Sequence, residues 1–403
     1  MPHRDAPAPL RVCVRVRPLL ARDGRAAQQM GVDEQRAVVR ISQSAYHFDR
    51  VFDAAASQQA VAHECTAELV ENLFAGVHGC LFAYGQTGAG KTFSMLGAEG
   101  GQRRACQDGV LPLVTTDIFR RVAQLEAALK PGGRSQYQLR ASFVEVYRER
   151  VFDLCAASAS MQGSVSERRQ LRLRELKDGS IRPEGVTEVP VHTTEQMLAF
   201  VARGSYARAT ASTNMHDHSS RSHAVLTLTL EHRWRDPDEP VGSRVIQKQQ
   251  AQLSLVDLAG SEDMLRSHGG TGDKDGIATN LGLHALTRVL SALADGTPHV
   301  PYRDATLTRL LQPALGGDCV TRMLACISPA AADEAETERT LRWAARARGL
   351  VSKATVHVTQ EIDSDPMVDD VEDPSSLQRR ALWLGPLPGC EAFLSPRGEP
   401  VFA

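Results

Sequence analysis

The sequence predicts an α/β domain with a central mixed sheet and helices on both faces. Two observations lead to this prediction. Short β-branched segments alternate with segments whose apolar residues recur at helical spacing, from residue 10 to about residue 350. A glycine-rich turn at residues 85–92 directly follows a short apolar segment and precedes a helix-compatible one. Hydrophobic content of 42% and charged content of 23% are ordinary for a folded protein, which excludes wholesale disorder.

The individual elements follow from local patterns. The first strand is predicted at residues 11–16 (RVCVRV), and Pro18 ends it. Further strands are predicted at residues 79–83, 138–147, 224–232 and 252–258, the last of which ends in an aspartate. Helices are predicted at residues 60–73, 277–293, 306–315 and 334–350. The last helix begins with acidic residues and ends with arginines, a distribution that suits the helix dipole.

Charge and cysteine content limit the class of protein. The chain has 46 basic and 48 acidic residues and a formal charge of −2, which excludes a surface built throughout to bind nucleic acid. Its eight cysteines are scattered without a CxxC pair, so neither a zinc site nor a disulfide framework is predicted. Residues 1–10 lack the apolar core of a signal peptide, and nowhere do about 18 apolar residues run together. We therefore expect a cytoplasmic protein with no membrane span.

The composition changes after about residue 354. Residues 361–373 carry seven acidic residues and no basic one, and residues 385–400 are rich in Gly and Pro. We predict a short N-terminal extension at 1–9, a folded domain at 10–350, a linker at 351–360 and a disordered tail at 361–403. No heptad pattern persists over three or four heptads, so no coiled coil is predicted. A monomer, or an assembly without a coiled coil, is expected.

The strongest local signal for function is a GxxxxGK[ST] segment in the strand–turn–helix context that this motif requires. It comprises Gly85, Gln86, Thr87, Gly88, Ala89, Gly90, Lys91 and Thr92. Its glycines let backbone N–H groups turn inward around phosphates. Lys91 is placed to reach the β- and γ-phosphates, and the Thr92 hydroxyl is placed to ligate Mg²⁺. The alternative is a glycine-rich turn that matches by chance, but in this context nucleotide binding is favoured.

Two further segments could complete such a site. The strand at 252–258 ends in Asp257, which could hold Mg²⁺ through a water, and Gly260 would let a backbone N–H approach a γ-phosphate. Taken alone, a strand that ends in aspartate is common. The polar loop at 214–223 contains Ser219, Ser220 and Arg221, and by itself an ordinary serine-rich turn is the favoured interpretation. Two histidines in this loop have a metal-ligand spacing, but no cysteine or carboxylate cluster completes a zinc site.

Several motifs in order give the chain a resemblance to the kinesin motor domain over about residues 10–350. They are RVRP at 15–18, FAYGQTGAGKT at 82–92, SSRSH at 219–223, DLAGSE at 257–262, VPYRD at 300–304, LGG at 315–317 and ISP at 327–329. The resemblance implies the P-loop NTPase fold of that family. It also implies ATP hydrolysis coupled to microtubule binding and movement, with ATP and Mg²⁺ as cofactors. The chain is thus expected on the microtubule cytoskeleton of the cytoplasm.

The resemblance also implies roles for residues. Arg15, Arg17 and Pro18 would bind the nucleotide beside the adenine, with Phe93 stacked near it. Ser219 and Ser220 would lie near Mg²⁺ and the attacking water, with Ser220 and Thr92 as ligands. The Gly260 N–H would sense the γ-phosphate, and Arg221 would form with Glu262 an ion pair that closes the site. No dedicated general base is required, because phosphoryl transfer depends mostly on positioning and charge stabilisation.

The chain departs from the family pattern at four positions. His216 stands in place of an asparagine before the serine pair, and Leu281 stands in place of a basic residue after Asn280. Thr306 replaces a lysine, and Pro313 replaces an aspartate and is expected to end its helix early. The implied microtubule-binding residues are Lys274, Asn280, His284, Arg288, Arg303 and Arg309.

Leu281 and Thr306 thus remove two positive charges from the surface implied to bind the filament. Their loss would weaken filament binding several-fold to about thirtyfold. The alternatives are a kinesin-fold protein that binds nucleotide or microtubules with weak or no motility, and a P-loop ATPase without a filament partner. A motor domain followed by a linker resembles plus-end-directed kinesins. The cargo does not follow from the sequence.

Overall fold

The computed structural model describes residues 7–23, 30–98, 108–128, 135–156, 169–176, 180–210, 221–235, 245–262 and 274–362, with the side chains at 209–210, 274–280 and 362 excepted. Some of the predictions made above therefore fall outside the described residues. They concern His216, Ser219, Ser220, the side chains of Lys274 and Asn280, and the tail from residue 363 onward.

The described residues form helices and strands that alternate along the chain. The helices are α1 (Gln58–Phe74), α2 (Lys91–Leu96), α3 (Val110–Ala127), α4 (Thr194–Thr210), α5 (Lys274–Ala294), α6 (Thr306–Leu310) and α7 (Glu334–Ala347). The strands are β1 (Pro7–Pro9), β2 (Arg11–Val16), β3 (Met30–Asp33), β4 (Val38–Ile41), β5 (Ser44–His47), β6 (Arg50–Phe52), β7 (Gly79–Tyr84), β8 (Ser135–Tyr147), β9 (Arg150–Asp153), β10 (Gln170–Leu171), β11 (Leu173–Glu175), β12 (Ile181–Pro183), β13 (Val189–Val191), β14 (His223–Trp234), β15 (Val245–Asp257), β16 (Val320–Ile327), β17 (Val351–Lys353) and β18 (Val358–Ile362).

A mixed central sheet organises the domain, as the sequence predicts. Its strand order is β10-β9-β8-β14-β15-β7-β16-β2-β6. The pairs from β15 through β7, β16 and β2 to β6 are parallel, whereas β8, β14 and β15 pair antiparallel. Strands β7 and β16 are buried at every position, which explains their continuous apolar sequences. One core cluster packs α1, α3 and α4 against the sheet, and a second packs α5, α6 and α7 against the other face.

Two predicted helices end earlier in the structure than in the prediction. The helix predicted at 306–315 ends at Leu310, because Pro313 has no N–H with which to continue the helical bonding pattern. The helix predicted at 334–350 ends at Ala347, where the chain turns at Gly349 and joins Leu10 through a bond from the Leu10 N–H to the Leu350 carbonyl (2.8 Å). The helix therefore ends three residues earlier than predicted, and a turn connects it to β17.

Residues 351–362, here called the linker segment, lie along the core as two strands. Strand β17 pairs antiparallel with β1, so the N-terminal extension and the linker segment form one small sheet. Strand β18 pairs antiparallel with the first half of β15 and runs to Ile362, two residues past the predicted end of the linker at 360. Within the described part of the chain, no helix has the length and apolar character to cross a membrane.

Candidate functional site

The loop between β7 and α2 is shaped by glycines. Gly85, Gly88 and Gly90 have φ values of 144°, 78° and 97°, a region that favours glycine. At Gly85 a Cβ would also overlap the backbone carbonyl of Cys326 in the neighbouring strand β16. The loop thus passes closely over the end of the sheet before Lys91 begins α2.

Lys91 lies buried beneath this loop. Its Nζ donates to the carbonyls of Gly85 (2.8 Å) and Gln86 (2.9 Å). Burial lowers the pKa of Lys91, while the carboxylates of Asp257 and Glu262 oppose that shift. A cation is therefore fixed inside the loop, where a phosphate group would be neutralised.

Thr92 and Asp257 join the loop to the neighbouring strand. The Thr92 hydroxyl donates to Asp257 Oδ2 at 2.7 Å. The pair forms because β15 and β7 are parallel neighbours, so Asp257 lies opposite Ala83, close to the start of the loop. Asp257 Oδ1 is buried and has no hydrogen-bond partner among the described residues. A hydroxyl beside a carboxylate with an unused oxygen fits Mg²⁺, which binds oxygen ligands and usually retains several waters.

The segment after Asp257 packs against the same loop. The Ser261 N–H donates to the Gly85 carbonyl (3.1 Å), and Glu262 Oε2 accepts the Thr87 N–H (2.7 Å). A Cβ on Gly260 would overlap both the Thr87 hydroxyl and the Glu262 carboxylate, so a larger residue here would displace these two side-chain ends. The structure therefore brings Gly260 and Glu262 to the P-loop. Arg221 is buried, and its ion pair with Glu262 stays a prediction.

The predicted nucleotide-base residues form a second cluster. The Arg15 guanidinium lies over the Phe93 ring, 5.3 Å from its centroid, and donates to Gln58 Oε1 (2.5 Å) and Ser94 Oγ (2.9 Å). Burial lowers the pKa of Arg15. Phe93 remains 39% exposed, so one face of the ring is available for stacking.

Arg17 and Pro18 of the RVRP motif have different surroundings from Arg15. The Arg17 guanidinium donates to both carboxylate oxygens of Asp23 (2.5 and 2.9 Å) and to Ser328 Oγ (2.9 Å). Pro18 is exposed beside it. Arg17 is thus held by the protein's own acceptors, and its contribution to nucleotide binding remains a prediction.

Sequence reasoning missed three buried polar residues behind the site. Arg208, in the last turn of α4, donates to the Ser222 hydroxyl (3.0 Å) and carbonyl (2.7 Å), and it lies 3.5 Å from Glu145 and 3.8 Å from Asp257. His223 Nδ1 accepts the Ala259 N–H (3.0 Å). Burial, with the nearby Arg208 and Lys91 charges, lowers the pKa of His223 to about 3.

The signal for these residues was weak. His223 stands in the quoted SSRSH motif but was given no role, and Glu145 is a lone acid in an apolar strand. Arg208 has no local signal, because its partners lie on other elements.

The described side chains of the predicted filament-binding set lie on α5, on α6 and in the turn between these helices. Along α5, Leu281 (57% exposed), His284 and Arg288 are exposed at helical spacing. Arg288 forms an ion pair with Asp304 (2.7 Å), and Arg303 forms one with Glu175 (3.3 Å). Arg309, on α6, is half-buried. Two of the predicted cations are thus partly neutralised by acidic side chains of the protein itself.

Comparison with known proteins gives a consistent family. The family model described as the kinesin motor domain matches residues 15–350. Kinesin-like protein KIN-4C of Arabidopsis thaliana is 39% identical over 372 residues, covering 86% of this chain and 28% of that protein. Chromosome-associated kinesin KIF4 of Xenopus laevis is 37% identical over 364 residues, covering 88% of this chain and 28% of that protein.

A solved structure described as that of a fast kinesin matches with a TM-score of 0.73 at 30% identity. The match covers 91% of this chain and 98% of that chain. The chain spans between a quarter and about a third of the length of the first curated relatives that it matches. The matched residues 15–350 include the P-loop, Asp257 and the exposed face of α5. The chain belongs to the kinesin motor domain family.

Proposed function

We propose that this chain hydrolyses ATP and couples hydrolysis to microtubule binding and movement. The observation that carries the proposal is the Thr92–Asp257 hydrogen bond, because it joins the P-loop to the strand that leads into the DLAGSE segment. The Thr87–Glu262 hydrogen bond fastens the other end of that segment to the same loop. A change at the γ-phosphate position would therefore alter the P-loop and the DLAGSE segment together.

The residues present support binding of ATP with Mg²⁺. Bound Mg²⁺ would neutralise charge on the β- and γ-phosphates. Thr92 and Asp257 are the residues that would hold it, with Ser220 proposed as a further ligand. Lys91 would move from the loop carbonyls to phosphate oxygens, and Gly260 leaves its N–H free of side-chain obstruction at the γ-phosphate. Glu262, with the proposed partners Ser219 and Arg221, would orient the attacking water.

A kinesin-fold protein that binds without hydrolysis is less well supported. Lys91, Thr92, Asp257, Gly260 and Glu262 are all present and mutually positioned. Such a constellation is suited to stabilising phosphoryl transfer rather than to binding alone.

Microtubule binding rests on the α5 surface and on the family. Arg288 and Arg303 pair with acidic side chains of the protein itself. Fewer unpaired cations are therefore available to an acidic filament than the number of basic residues in the predicted set. Surface pairs are weak and screened by salt. We expect filament affinity that falls steeply as ionic strength rises.

The test is steady-state ATPase activity with and without taxol-stabilised microtubules, for the wild type, Lys91→Ala and Arg36→Ala. The Arg36 side chain is 77% exposed on the β3–β4 turn and serves as the matched control. We expect stimulation of about tenfold or more that Lys91→Ala abolishes and Arg36→Ala leaves intact. Lys91-dependent hydrolysis without stimulation would refute the filament part of the proposal. Absence of Lys91-dependent hydrolysis would refute the whole.

A further inference from the structure

The segment that follows β2, at residues 17–23, lies along the P-loop. A Cβ on Gly90 would be 3.8 Å from the Cβ of Arg17, so the start of the segment packs beside the last glycine of the loop. A Cβ on Gly88 would be 3.1 Å from a terminal nitrogen of Arg22, so the end of the segment reaches the preceding glycine. The segment thus places the Arg22 guanidinium directly against the P-loop backbone.

The turn that carries Arg22 is fixed by its neighbours. Residues Ala21–Asp23 form a single 3₁₀ turn, in which the Asp23 N–H donates to the Leu20 carbonyl (2.9 Å) and the Leu20 N–H donates to Asp23 Oδ2 (2.7 Å). The ion pair between Arg17 and Asp23 is shielded from water, since the two side chains are 9% and 7% exposed. The hydrogen bond from Arg17 is the largest cause of the low pKa of Asp23, about 2, so the pair is ionised at neutral pH. Arg22 therefore stands on a turn that this ion pair holds in place.

Arg22 itself has no acceptor in the described part of the chain. It makes no hydrogen bond and no ion pair there, and its side chain is exposed. The neighbouring Asp23 carboxylate is already occupied by Arg17 and by the Leu20 N–H. The Arg22 charge is the smallest of the causes that lower the pKa of that carboxyl. The Arg22 guanidinium thus keeps its donors for solvent or for a ligand.

The P-loop backbone beside this guanidinium also has an unused donor. The Thr87 N–H donates to Glu262 (2.7 Å), and the Ala89 N–H donates to the Gln86 carbonyl (3.2 Å). Gly88 lies between them and is exposed, and its N–H has no acceptor among the residues that the structure describes. A backbone N–H and a guanidinium that are adjacent, both without an acceptor, suit an anionic oxygen.

The other cations at the site do not already fill this role. Lys91 lies buried beneath the loop and supplies one positive charge from the protein side. The Arg15 guanidinium donates to Gln58 and Ser94. The Glu262 carboxylate adds a negative charge at the same loop. Because the phosphate chain of a nucleotide carries several negative charges, one buried cation does not neutralise it.

We propose that Arg22 is a nucleotide-binding residue whose guanidinium contacts the phosphate chain from the solvent side, opposite Lys91. The inference rests on the proposed function, because it concerns the same nucleotide site. Guanidinium pairs well with phosphate oxygens, and the fixed turn reduces the entropy that the side chain loses on binding. Since the pair is exposed to water, its contribution to nucleotide affinity is about two- to fivefold and is screened by salt.

Titration of the nucleotide-free full chain with fluorescently labelled ADP and Mg²⁺, at about 50 mM and about 0.5 M salt, tests the proposal. Arg22→Gln should weaken binding about two- to fivefold at low salt and leave it unchanged at high salt. Arg22→Glu should weaken it about four- to twentyfivefold, because reversal of the charge doubles the change in electrostatic energy. Arg22→Lys should stay within about twofold of the wild type, since it keeps the charge. Arg36→Gln, on the exposed β3–β4 turn, is the matched control and should bind as the wild type does.

A purely structural role for Arg22 is excluded by a second measurement. The urea midpoint of the nucleotide-free Arg22→Gln variant should equal that of the wild type, because Arg22 makes no contact that holds the fold together in the described residues.

Several results would overturn the proposal. These are equal affinities of the wild type, Arg22→Gln and Arg22→Glu at low salt, a loss that persists at high salt, or a loss that Arg22→Lys does not restore. Tighter binding by Arg22→Gln would show that Arg22 obstructs the P-loop instead. A wild type that binds no ADP would refute both this inference and the proposed function. ADP binding that depends on Arg22, in a chain that does not hydrolyse ATP, would refute the proposed function alone.

Discussion

Replacement of Arg208 by methionine should destabilise the domain strongly, because this side chain lies between two buried carboxylates. Its side chain is 9% exposed, that of Glu145 is 0% exposed, and that of Asp257 is 9% exposed. Methionine has a comparable length, so the loss of packing is small. The main effect is that the buried carboxylates of Glu145 and Asp257 lose the neighbouring charge of Arg208.

The magnitude follows from the cost of breaking a buried ion pair, about 3–5 kcal/mol. With a urea m-value of about 3 kcal/mol/M for a domain of this size, the unfolding midpoint should fall by about 1 M or more. Arg208→Lys should lie between the wild type and Arg208→Met. It keeps the charge, but one ammonium cannot reproduce the hydrogen bonds to Ser222 and the approach to both acids.

The assay is urea unfolding followed by circular dichroism, with Arg36→Met as the exposed control. The double variant Glu145→Gln/Arg208→Met should recover part of the lost stability, because it removes one of the two buried charges. If Arg208→Met unfolds within about 1 kcal/mol of the wild type, or if the double variant is no better than the single one, the ion-pair argument is refuted.

Three further predictions concern other parts of the molecule. Gly260→Ala should reduce ATPase activity at least about a hundredfold without unfolding the domain, because the added Cβ separates Thr87 from Glu262. An unchanged kcat would contradict this prediction. The folded state resists protonation of His223, whose pKa is about 3. The stability that the neutral His223 contributes is therefore present above pH 6.5 and is lost as pH falls. That loss is about 2 kcal/mol by pH 5, and His223→Gln should flatten the curve of unfolding free energy against pH in this window. Leu281→Lys should tighten microtubule binding about two- to fivefold at low salt, an effect that vanishes at high salt and is absent in Leu125→Lys on α3.

Much of the fold and the front of the site could be predicted from local sequence. The GxxxxGK[ST] segment and the strand that ends at Asp257 carry their own signals. Strands β7 and β15 are parallel neighbours, so their carboxyl ends lie at the same edge of the sheet and the two segments meet there. The bond between Thr92 and Asp257 confirms that the sheet brings these segments together.

The parts that sequence reasoning missed depend on distant partners. In the local sequence Arg208 looks like an ordinary helical residue. Its role depends on Glu145 of β8 and Asp257 of β15, which only the folded structure places beside it. Residues 355–362 were assigned to the linker and the start of the tail, although Val356 and Val358 alternate with polar residues as in a strand. Strand β18 exists because the first half of β15, at Val245–Gln249, extends past β7 and leaves an edge that another strand can pair with.

Strand β15 connects the candidate site to the linker segment, but it is poorly suited to carry a signal between them. Its 13 residues span about 40 Å. Pairing with β14 along most of its length and with β7 near Asp257 holds it rigid. Under the proposed motor function, a rearrangement at the γ-phosphate would have to reach the linker segment through elements that can shift against the sheet. His223 is placed for this role, because it accepts the Ala259 N–H and its Nε2 would lie 3.6 Å from a Cβ on Gly282 of α5. Helix α5 packs in turn against α7, whose end leads directly into β17.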